Sequence, residues 1–227
     1  MGNRKLQKNY GSTQLFYEKY YKDVIHGRGL GGYFIRKTHL KMEESYRNEN
    51  YPLVLEVGGG SGEHLDFVSH EYERYFLTDI KLPVLDALRS LDSRIVCQIA
   101  NVEALPYPDN SFNRVVVTCL FHHVEKPAKA IEEILRVLKP EGIATIFLSC
   151  DPGILVRLLR YFMTQKTASR KGFQGYELMI AREHRNHVSS LLSIITYSTR
   201  FRKVKVNYFP FRLPLWDINA FIVINIS

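Results

Sequence analysis

Three glycines at alternate positions follow a short apolar run and form the first candidate site. Gly58, Gly60 and Gly62 come directly after residues 54–57, which read as a strand. A strand that enters a glycine-rich turn lets backbone N–H groups approach a ligand closely. A dinucleotide fingerprint would need glycine at position 63, but Glu63 stands there, and its charge would oppose a pyrophosphate. We therefore expect a ligand without phosphate at this loop; the alternative is a tight turn that needs glycine for steric reasons alone.

An acid follows the next apolar run. Asp79 ends the segment Leu77-Thr78-Asp79, 21 residues after Gly58. In a nucleotide-type ligand that position suits a carboxylate that accepts hydrogen bonds from two ribose hydroxyls. The alternative is an N-cap of the following helix.

Two segments with histidine are candidates for proton transfer and anion binding. His122 and His123 follow an expected strand; one could be a general base or position an acceptor, and the alternative is a packed pair. The cationic and aromatic groups near 182–187 could clamp a phosphate or carboxylate, or form a solvated helix end. These groups are Tyr176, Arg182, His184, Arg185 and His187. We expect no metal, because no further ligand can be placed.

Three tyrosines stand on a predicted N-terminal helix at 12–25. Tyr17, Tyr20 and Tyr21 could cover a bound ligand or substrate. Aromatic residues at helical spacing are also typical of a packed core, so both interpretations stay open.

Alternating strands and helices must position these groups. The patterns predict strands near 52–57, 73–79, 94–99, 113–118 and 142–149, and helices near 62–70, 82–90 and 127–138. Continuous apolar strands indicate an α/β fold with a doubly wound parallel sheet buried on both faces. Right-handed crossovers bring the carboxyl ends of parallel strands to one edge, where we expect the site.

The flanks of this core differ in pattern. Helices are expected at 12–25, 33–47, 153–163 and 188–197, and 164–187 is expected to be basic and irregular. Strands at 204–209 and 220–226 should pair antiparallel, because a ten-residue link is short for a parallel crossover. We predict an N-terminal helical cap over 1–50 and a ligand-binding domain over 51–227, with a lid segment at 151–200.

Charge is uneven along this chain of net charge +8. Residues 51–150 hold 9 Lys and Arg against 14 Asp and Glu, whereas residues 151–205 hold 11 against 3. A basic lid favours an anionic substrate, although a solvated basic face is the alternative. Three separated cysteines and the absence of an apolar run of membrane-spanning length favour the reducing cytoplasm.

The order and spacing of four segments carry a resemblance to a known family. Downstream of the glycine loop they are 77–80 with Asp79, 100–112 with Leu105-Pro106-Tyr107, 119–124 and 134–142. Over about residues 52–149 the chain resembles the class I S-adenosylmethionine-dependent methyltransferases, in particular the small-molecule, methyltransferase type 11-like group. The resemblance implies a Rossmann-like seven-stranded sheet of order 3-2-1-4-5-7-6, with the last strand antiparallel, and S-adenosylmethionine as cofactor.

The resemblance also implies site residues, each at its matching position. Glu56 and the loop of Gly58, Gly60 and Gly62 would face the methionine part of the cofactor. Around the nucleoside and the sulfonium, the implied contacts are Asp79 on the ribose, Ile80, Asn101 and Val102 on the adenine, and Cys119 and Leu120 near the sulfonium. Asn101 departs from the aspartate usual in the family, which puts that contact in doubt.

The expected function is transfer of a methyl group to oxygen or nitrogen of a small anionic metabolite, such as a sugar, sugar-nucleotide or phosphorylated compound. Nucleic-acid methylation is less expected, because Thr118-Cys119-Leu120-Phe121 lacks the [DNS]-P-P-[FYW] signature. A third hypothesis is a cofactor-binding regulatory protein without turnover. A homodimer is compatible with each hypothesis.

Overall fold

A computed structural model describes residues 12–25, 30–81 and 92–227 of the chain. Seven strands among these residues form one sheet in the order β3-β2-β1-β4-β5-β7-β6. They are β1 Leu53–Val57, β2 Arg74–Asp79, β3 Ile95–Ile99, β4 Phe112–Val117, β5 Leu138–Ser149, β6 Val204–Phe209 and β7 Phe221–Ile226. Strand β7 runs antiparallel to β5 and β6, and the other neighbours are parallel. The predicted fold class and strand order are confirmed.

The centre of the sheet is buried on both faces. Val115, Val116 and Val117 of β4 have no exposed surface, and their side chains alternate between two separate apolar clusters. Successive side chains of a strand point to opposite faces, so a continuous apolar strand needs cover on both. Because β1 to β5 run parallel, their carboxyl ends lie at one common edge, and the candidate residues stand at that edge.

Eight α-helices lie within the described residues, and most of the predicted ones are found. They are α1 Thr13–Lys19, α2 Tyr21–Ile25, α3 Leu30–Glu43, α4 Pro127–Val137, α5 Ile154–Leu159, α6 Lys166–Arg170, α7 Tyr176–Glu183 and α8 Val188–Ser198. A π-helical turn, Arg160–Gln165, joins α5 to α6. The predicted helix at 82–90 lies outside the described residues. Within the described residues, we find no helix with the length and apolar character that a membrane span requires.

The prediction of an α-helix at 62–70 is wrong. Only a short 3-10 turn, Leu65–Phe67, lies there. Gly62 has a φ of +84°, and its N–H bonds to the carbonyl of Gly59 within the loop. The hydrogen bonds that follow span three residues, from Leu65 N–H to the carbonyl of Gly62 and from Phe67 N–H to that of His64, and Val68 already turns to extended backbone. The glycine loop is thus followed by turns instead of a helix N-terminus.

The irregular segment predicted at 164–187 is also wrong in part, because α6 and α7 lie within it. Their apolar side chains join α1 and α2 in a third cluster, separate from the sheet clusters. Its buried members are Phe16, Tyr20, Val24, Ala168, Phe173, Tyr176 and Met179. A hydrogen bond from Thr13 Oγ1 to Glu183 Oε1 at 2.7 Å adds a polar link. Short helices of low intrinsic stability are held here by tertiary packing, which local patterns do not reveal.

A buried ion pair ties helix α3 to the sheet. Arg114 of β4 has no exposed surface, and its guanidinium donates to both oxygens of Glu43 at 2.6 and 3.2 Å. Glu43 also lies 3.0 Å from Nε2 of His64. The ring of Tyr46 faces the same guanidinium at 4.0 Å. Helix α3 is therefore attached to one face of the sheet by a buried polar network as well as by apolar contact.

Candidate functional site

The glycine loop has a backbone that only glycine adopts readily. Gly58, Gly60 and Gly62 have φ values of +73°, +52° and +84°. The N–H groups of residues 58 and 59 bond to the carbonyl of Thr78, at 2.8 and 3.1 Å, and the N–H of Gly60 bonds to Asp79. The alternate glycines of the sequence are thus explained by alternate left-handed residues. The loop after β1 is held against the end of β2.

The loop also has no room for side chains at its base. A Cβ added to Gly58 would lie 3.0 Å from the side chain of Leu120, and one added to Gly59 would lie 2.8 Å from Leu77. Leu120 follows β4, so the first turn after β1 contacts the first turn after β4. This close contact leaves backbone, and not side chains, facing a ligand at the edge of the sheet.

Substituting Gly58 by alanine is expected to destabilise the protein by about 2–3 kcal/mol, because left-handed strain and a clash with Leu120 add. Gly172→Ala is the matched control. Gly172 has a φ of +90°, but a Cβ added there would meet no atom within 4 Å, so it tests strain alone at about 1 kcal/mol. Urea unfolding measures both. Equal losses in the two variants would contradict a tight contact between the two turns.

Asp79 stands at the end of β2 beside the loop. Its Oδ2 accepts from the N–H of Gly60 at 3.1 Å, and its Oδ1 accepts from the N–H of Lys81 at 3.0 Å. Two isoleucines flank it: Ile80 is 65% exposed, and Ile99, its neighbour across the β2–β3 pairing, is 62% exposed. A carboxylate with apolar surface on either side suits a ribose next to a flat ring. Sequence reasoning missed Ile99, although an apolar residue at the end of β3 was a usable signal.

Asn101 and Cys119 occupy the two neighbouring turns. The Asn101 side chain accepts from the N–H of Glu103 at 2.9 Å, which closes an Asx turn, and Val102 is buried. Cys119 has a φ of +50°, an unusual conformation for a residue with a side chain. Burial raises the pKa of its thiol to about 12, so it is a neutral group. Strained backbone of this kind is often found at functional sites.

Glu56 lies beneath the loop. Its side chain has no exposed surface and accepts from the hydroxyl of Tyr75 at 2.8 Å and from that of Thr118 at 3.5 Å. Burial raises the pKa of Glu56 to about 7. The carboxyl therefore links β1 to β2 through Tyr75 and to the turn after β4 through Thr118.

His122 is a fixed structural group. It has no exposed surface, and its two ring nitrogens contact the carbonyls of Asn186 at 2.8 Å and Ser149 at 3.0 Å. Burial lowers its pKa to about 4, so the neutral ring can donate to only one carbonyl at a time. His122 is therefore placed as a packed, hydrogen-bonded group, as in the alternative interpretation, and not as an accessible base.

His184 instead belongs to an acid–imidazole pair. Its Nδ1 lies 2.6 Å from Oδ2 of Asp151, and Arg160 contacts the other carboxylate oxygen at 2.6 Å. The His184 ring stacks on His122 at 5.0 Å and meets the edge of His123 at 5.0 Å. Burial lowers the pKa of His123 to about 4, so this half-buried ring is neutral. Sequence reasoning missed Asp151, although an acid directly after β5 at this edge was a signal.

The structure separates the other predicted substrate residues. Arg182 and His187 are exposed, and the exposed Arg185 contacts Glu125 at 3.4 Å. Tyr20 and Tyr176 are buried in the third cluster, not open to a ligand. Within the described residues, we find no group of three His, Cys, Asp or Glu side chains placed to hold a metal ion.

Two tyrosines of the N-terminal helices lie near groups at the carboxyl ends of the parallel strands. Burial, the largest cause, and the nearby ionisable groups of Cys119 and Glu183 together raise the pKa of Tyr17 to about 12. Burial also raises the pKa of Tyr21, with Glu63 as the next contributor. The phenols thus stand near Glu63, which follows the glycine loop, and near Cys119 in the turn after β4.

Comparison with known proteins agrees with this geometry. Residues 55–146 match the family described as a methyltransferase domain. Arginine-hydroxylase NDUFAF5 of Danio rerio is 35% identical over 94 residues, covering 41% of this chain and 29% of the relative. Ubiquinone/menaquinone biosynthesis C-methyltransferase UbiE of Vibrio cholerae is 33% identical over 98 residues, covering 39% of this chain and 38% of the relative. The aligned part thus spans less than two fifths of each relative.

A solved structure extends the likeness to the fold. A methyltransferase of Thermotoga maritima, described as S-adenosylmethionine-dependent and a possible histamine N-methyltransferase, superposes with a TM-score of 0.58. It is 17% identical, with 94% of this chain and 96% of that chain covered. The class I fold and the domain together imply S-adenosylmethionine as the cofactor. Residues 55–146 thus match the model of a methyltransferase domain, and the seven-stranded sheet has the class I S-adenosylmethionine-dependent methyltransferase fold.

Proposed function

We propose that this protein transfers a methyl group from S-adenosylmethionine to oxygen or nitrogen of a small anionic metabolite. A sugar, a sugar-nucleotide or a phosphorylated compound fits that description. The observation that carries the proposal is the meeting of the glycine loop, Asp79 and the turn after β4 at one edge, with the Asp151–His184 pair close by. A cofactor cradle and a proton-accepting pair are thus combined within one site.

The residues at the edge fit the cofactor. The loop of Gly58 and Gly60 offers backbone without side chains to the methionine part, and Asp79 offers carboxylate oxygens to the ribose hydroxyls. The exposed surfaces of Ile80 and Ile99 suit the adenine ring. When bound, S-adenosylmethionine supplies an electrophilic methyl group on a sulfonium.

The protein must then hold the acceptor and take up its proton. Asp151 contacts Nδ1 of His184, which fixes the ring and leaves Nε2 as the acceptor of a proton. Such a pair favours a hydroxyl acceptor, since an amine needs only to be neutral. We propose His184 as the general base. His122 and His123, the bases expected from the sequence, would support its ring from two sides.

The charge of the lid supports an anionic acceptor. Arg160 is largely buried between Asp151 and Glu177, with its side chain 11% exposed. These two carboxylates compensate the charge of Arg160, so the support for an anionic acceptor is the excess of Lys and Arg over Asp and Glu in residues 151–205. A location in the cytoplasm, a homodimer and the lid boundaries of 151–200 stay predictions from the sequence.

A labelled-methyl assay tests the function. The protein is incubated with labelled S-adenosylmethionine and pooled small metabolites, and labelled products are identified by mass. Carbon acceptors are included, because one relative is named a C-methyltransferase. Labelled product on an anionic hydroxyl or amine compound is the expected result. Cofactor binding without transfer to any acceptor would instead favour a regulatory protein, and transfer only to nucleic acid would favour the second hypothesis.

Variants that remove the proposed base are expected to lose methyl transfer and to keep cofactor binding. His184→Gln should lower the rate of methyl transfer about 100-fold. Asp151→Asn should lower it about tenfold, because the ring loses its orientation. Calorimetry should find cofactor affinity unchanged in both. Asp217→Asn, which alters an exposed acid near the same turn, is the control. Full activity in His184→Gln would contradict the assignment.

A further inference from the structure

One side of helix α5 and the π-helical turn presents apolar side chains to solvent. Ile154, Leu158, Tyr161 and Phe162 are 61%, 50%, 54% and 58% exposed. Their spacing of four, three and one residues puts them on one helical face. The adjacent side of α5 packs inward, where Leu155 and Leu159 contact a cluster of the sheet. The helix therefore carries one wide apolar stripe, of which only the part with Leu155 and Leu159 is covered by described residues.

The apolar surface continues onto the loop between β6 and β7. Phe211, Leu213 and Leu215 are 58%, 50% and 57% exposed. The loop and the helix are adjacent: a Cβ added to Gly153, just before α5, would lie 3.1 Å from the carbonyl oxygen of Trp216. We call these seven exposed side chains, on the helix and on the loop, the apolar face. Large exposed apolar patches usually mark a docking site.

Cations outnumber acids around the apolar face, although the loop also carries the exposed Asp217. No Asp or Glu occurs from residue 152 to residue 176, whereas exposed Arg157, Lys166 and Arg170 lie in that segment. Arg212 adds a cation in the loop. The ammonium of Lys166 stands over the ring of Phe162 at 4.9 Å. Cations thus border the apolar and aromatic side chains.

We propose that the apolar face docks on a membrane surface that contains anionic lipids. Aliphatic and aromatic side chains on one helical face insert at the level of the headgroups, and bordering Lys and Arg attract lipid phosphates. A protein partner would have to match this border with acidic groups at fixed positions, whereas a lipid surface supplies mobile anions to every cation. The same helical segment carries Arg160, which contacts Asp151, so a docked membrane would lie beside the acceptor end of the site.

Vesicle flotation tests the proposal without cofactor or substrate, so its outcome is independent of methyl transfer. Vesicles of phosphatidylcholine alone are compared with vesicles of equal parts phosphatidylcholine and phosphatidylglycerol. The protein is expected to float with the second kind only and to be released by high salt. Failure of the wild-type protein to bind the anionic vesicles would overturn the proposal.

Two double variants and a control locate the contact. Leu158→Ser with Phe162→Ser should lower vesicle binding at least tenfold, because two inserted apolar side chains are removed. Arg157→Gln with Arg170→Gln should also lower it about tenfold. Phe201→Ser is the control, since Phe201 is 87% exposed but precedes the opposite end of β6.

Circular dichroism of each variant confirms that it is folded. Equal loss of vesicle binding in the Phe201→Ser control would overturn the assignment of the apolar face. So would a wild-type dimer in sedimentation velocity that the Leu158→Ser, Phe162→Ser variant abolishes, because the face would then be the contact between two copies of this chain.

Discussion

Asp79→Ala is expected to weaken binding of S-adenosylmethionine about 100-fold, since two hydrogen bonds to a charged carboxylate are lost. The carboxylate also accepts from the N–H of Gly60, so the loop that approaches the methionine part loses a support. Isothermal titration calorimetry measures the affinity. Asp79→Asn keeps an amide oxygen for Gly60 and should lose less than alanine does.

Asp66→Ala is the matched control for Asp79→Ala. Asp66 is an exposed acid in the 3-10 turn that follows the same loop, so its removal changes the net charge equally. We expect the affinity of this control for the cofactor to match that of the wild-type protein. An Asp79→Ala affinity within threefold of the control would show that Asp79 does not hold the ribose.

Glu43→Ala is expected to lower the free energy of unfolding by about 3–5 kcal/mol, because it leaves the Arg114 charge buried without its carboxylate. Arg114 Nη2 lies 2.6 Å from Glu43 Oε1, and both side chains are at most 2% exposed. For a protein of this size the loss corresponds to about 10 °C in Tm. Urea unfolding and a thermal scan measure the two quantities.

A variant of the neighbouring Glu44 and a double variant test the buried pair more strictly. Glu44→Ala removes an exposed carboxylate that pairs with Lys41, and it should change stability by less than about 0.5 kcal/mol. Arg114→Met combined with Glu43→Leu should be more stable than either single variant, because no buried charge is left alone. Additive losses in the double variant would contradict a direct coupling between the two residues.

The buried pair also predicts how stability depends on pH. Burial raises the pKa of Glu43, but the hydrogen bond from His64 and the charge of Arg114 outweigh it and lower the pKa from 4.5 to about 2. Because the folded-state pKa is depressed, this stabilisation is present above about pH 4.5 and is lost as the pH falls towards 2. The wild-type protein should lose about 3 kcal/mol over that interval, and Glu43→Gln should lack this component.

Sequence patterns predicted the sheet well because they are local. Apolar runs placed each of the seven strands within a few residues, and the order followed from the family resemblance. Alternate glycines identified the loop, since three left-handed residues in five positions leave few other choices. The same local reasoning failed at 62–70, where a helix-like apolar pattern follows the loop but Gly62 keeps a left-handed backbone.

The sequence by itself thus determined the sheet, the glycine loop and the carboxylate at the end of β2, since each depends on residues close together in the chain. Tertiary structure decided which histidine pairs with a carboxylate. His122 is fixed by a carbonyl 64 residues away, whereas His184 is paired with a carboxylate 33 residues away. It also decided that Glu43 and Arg114, 71 residues apart, form one buried pair. Hydrogen bonds of that span depend on how distant segments pack, which spacing along one segment does not encode.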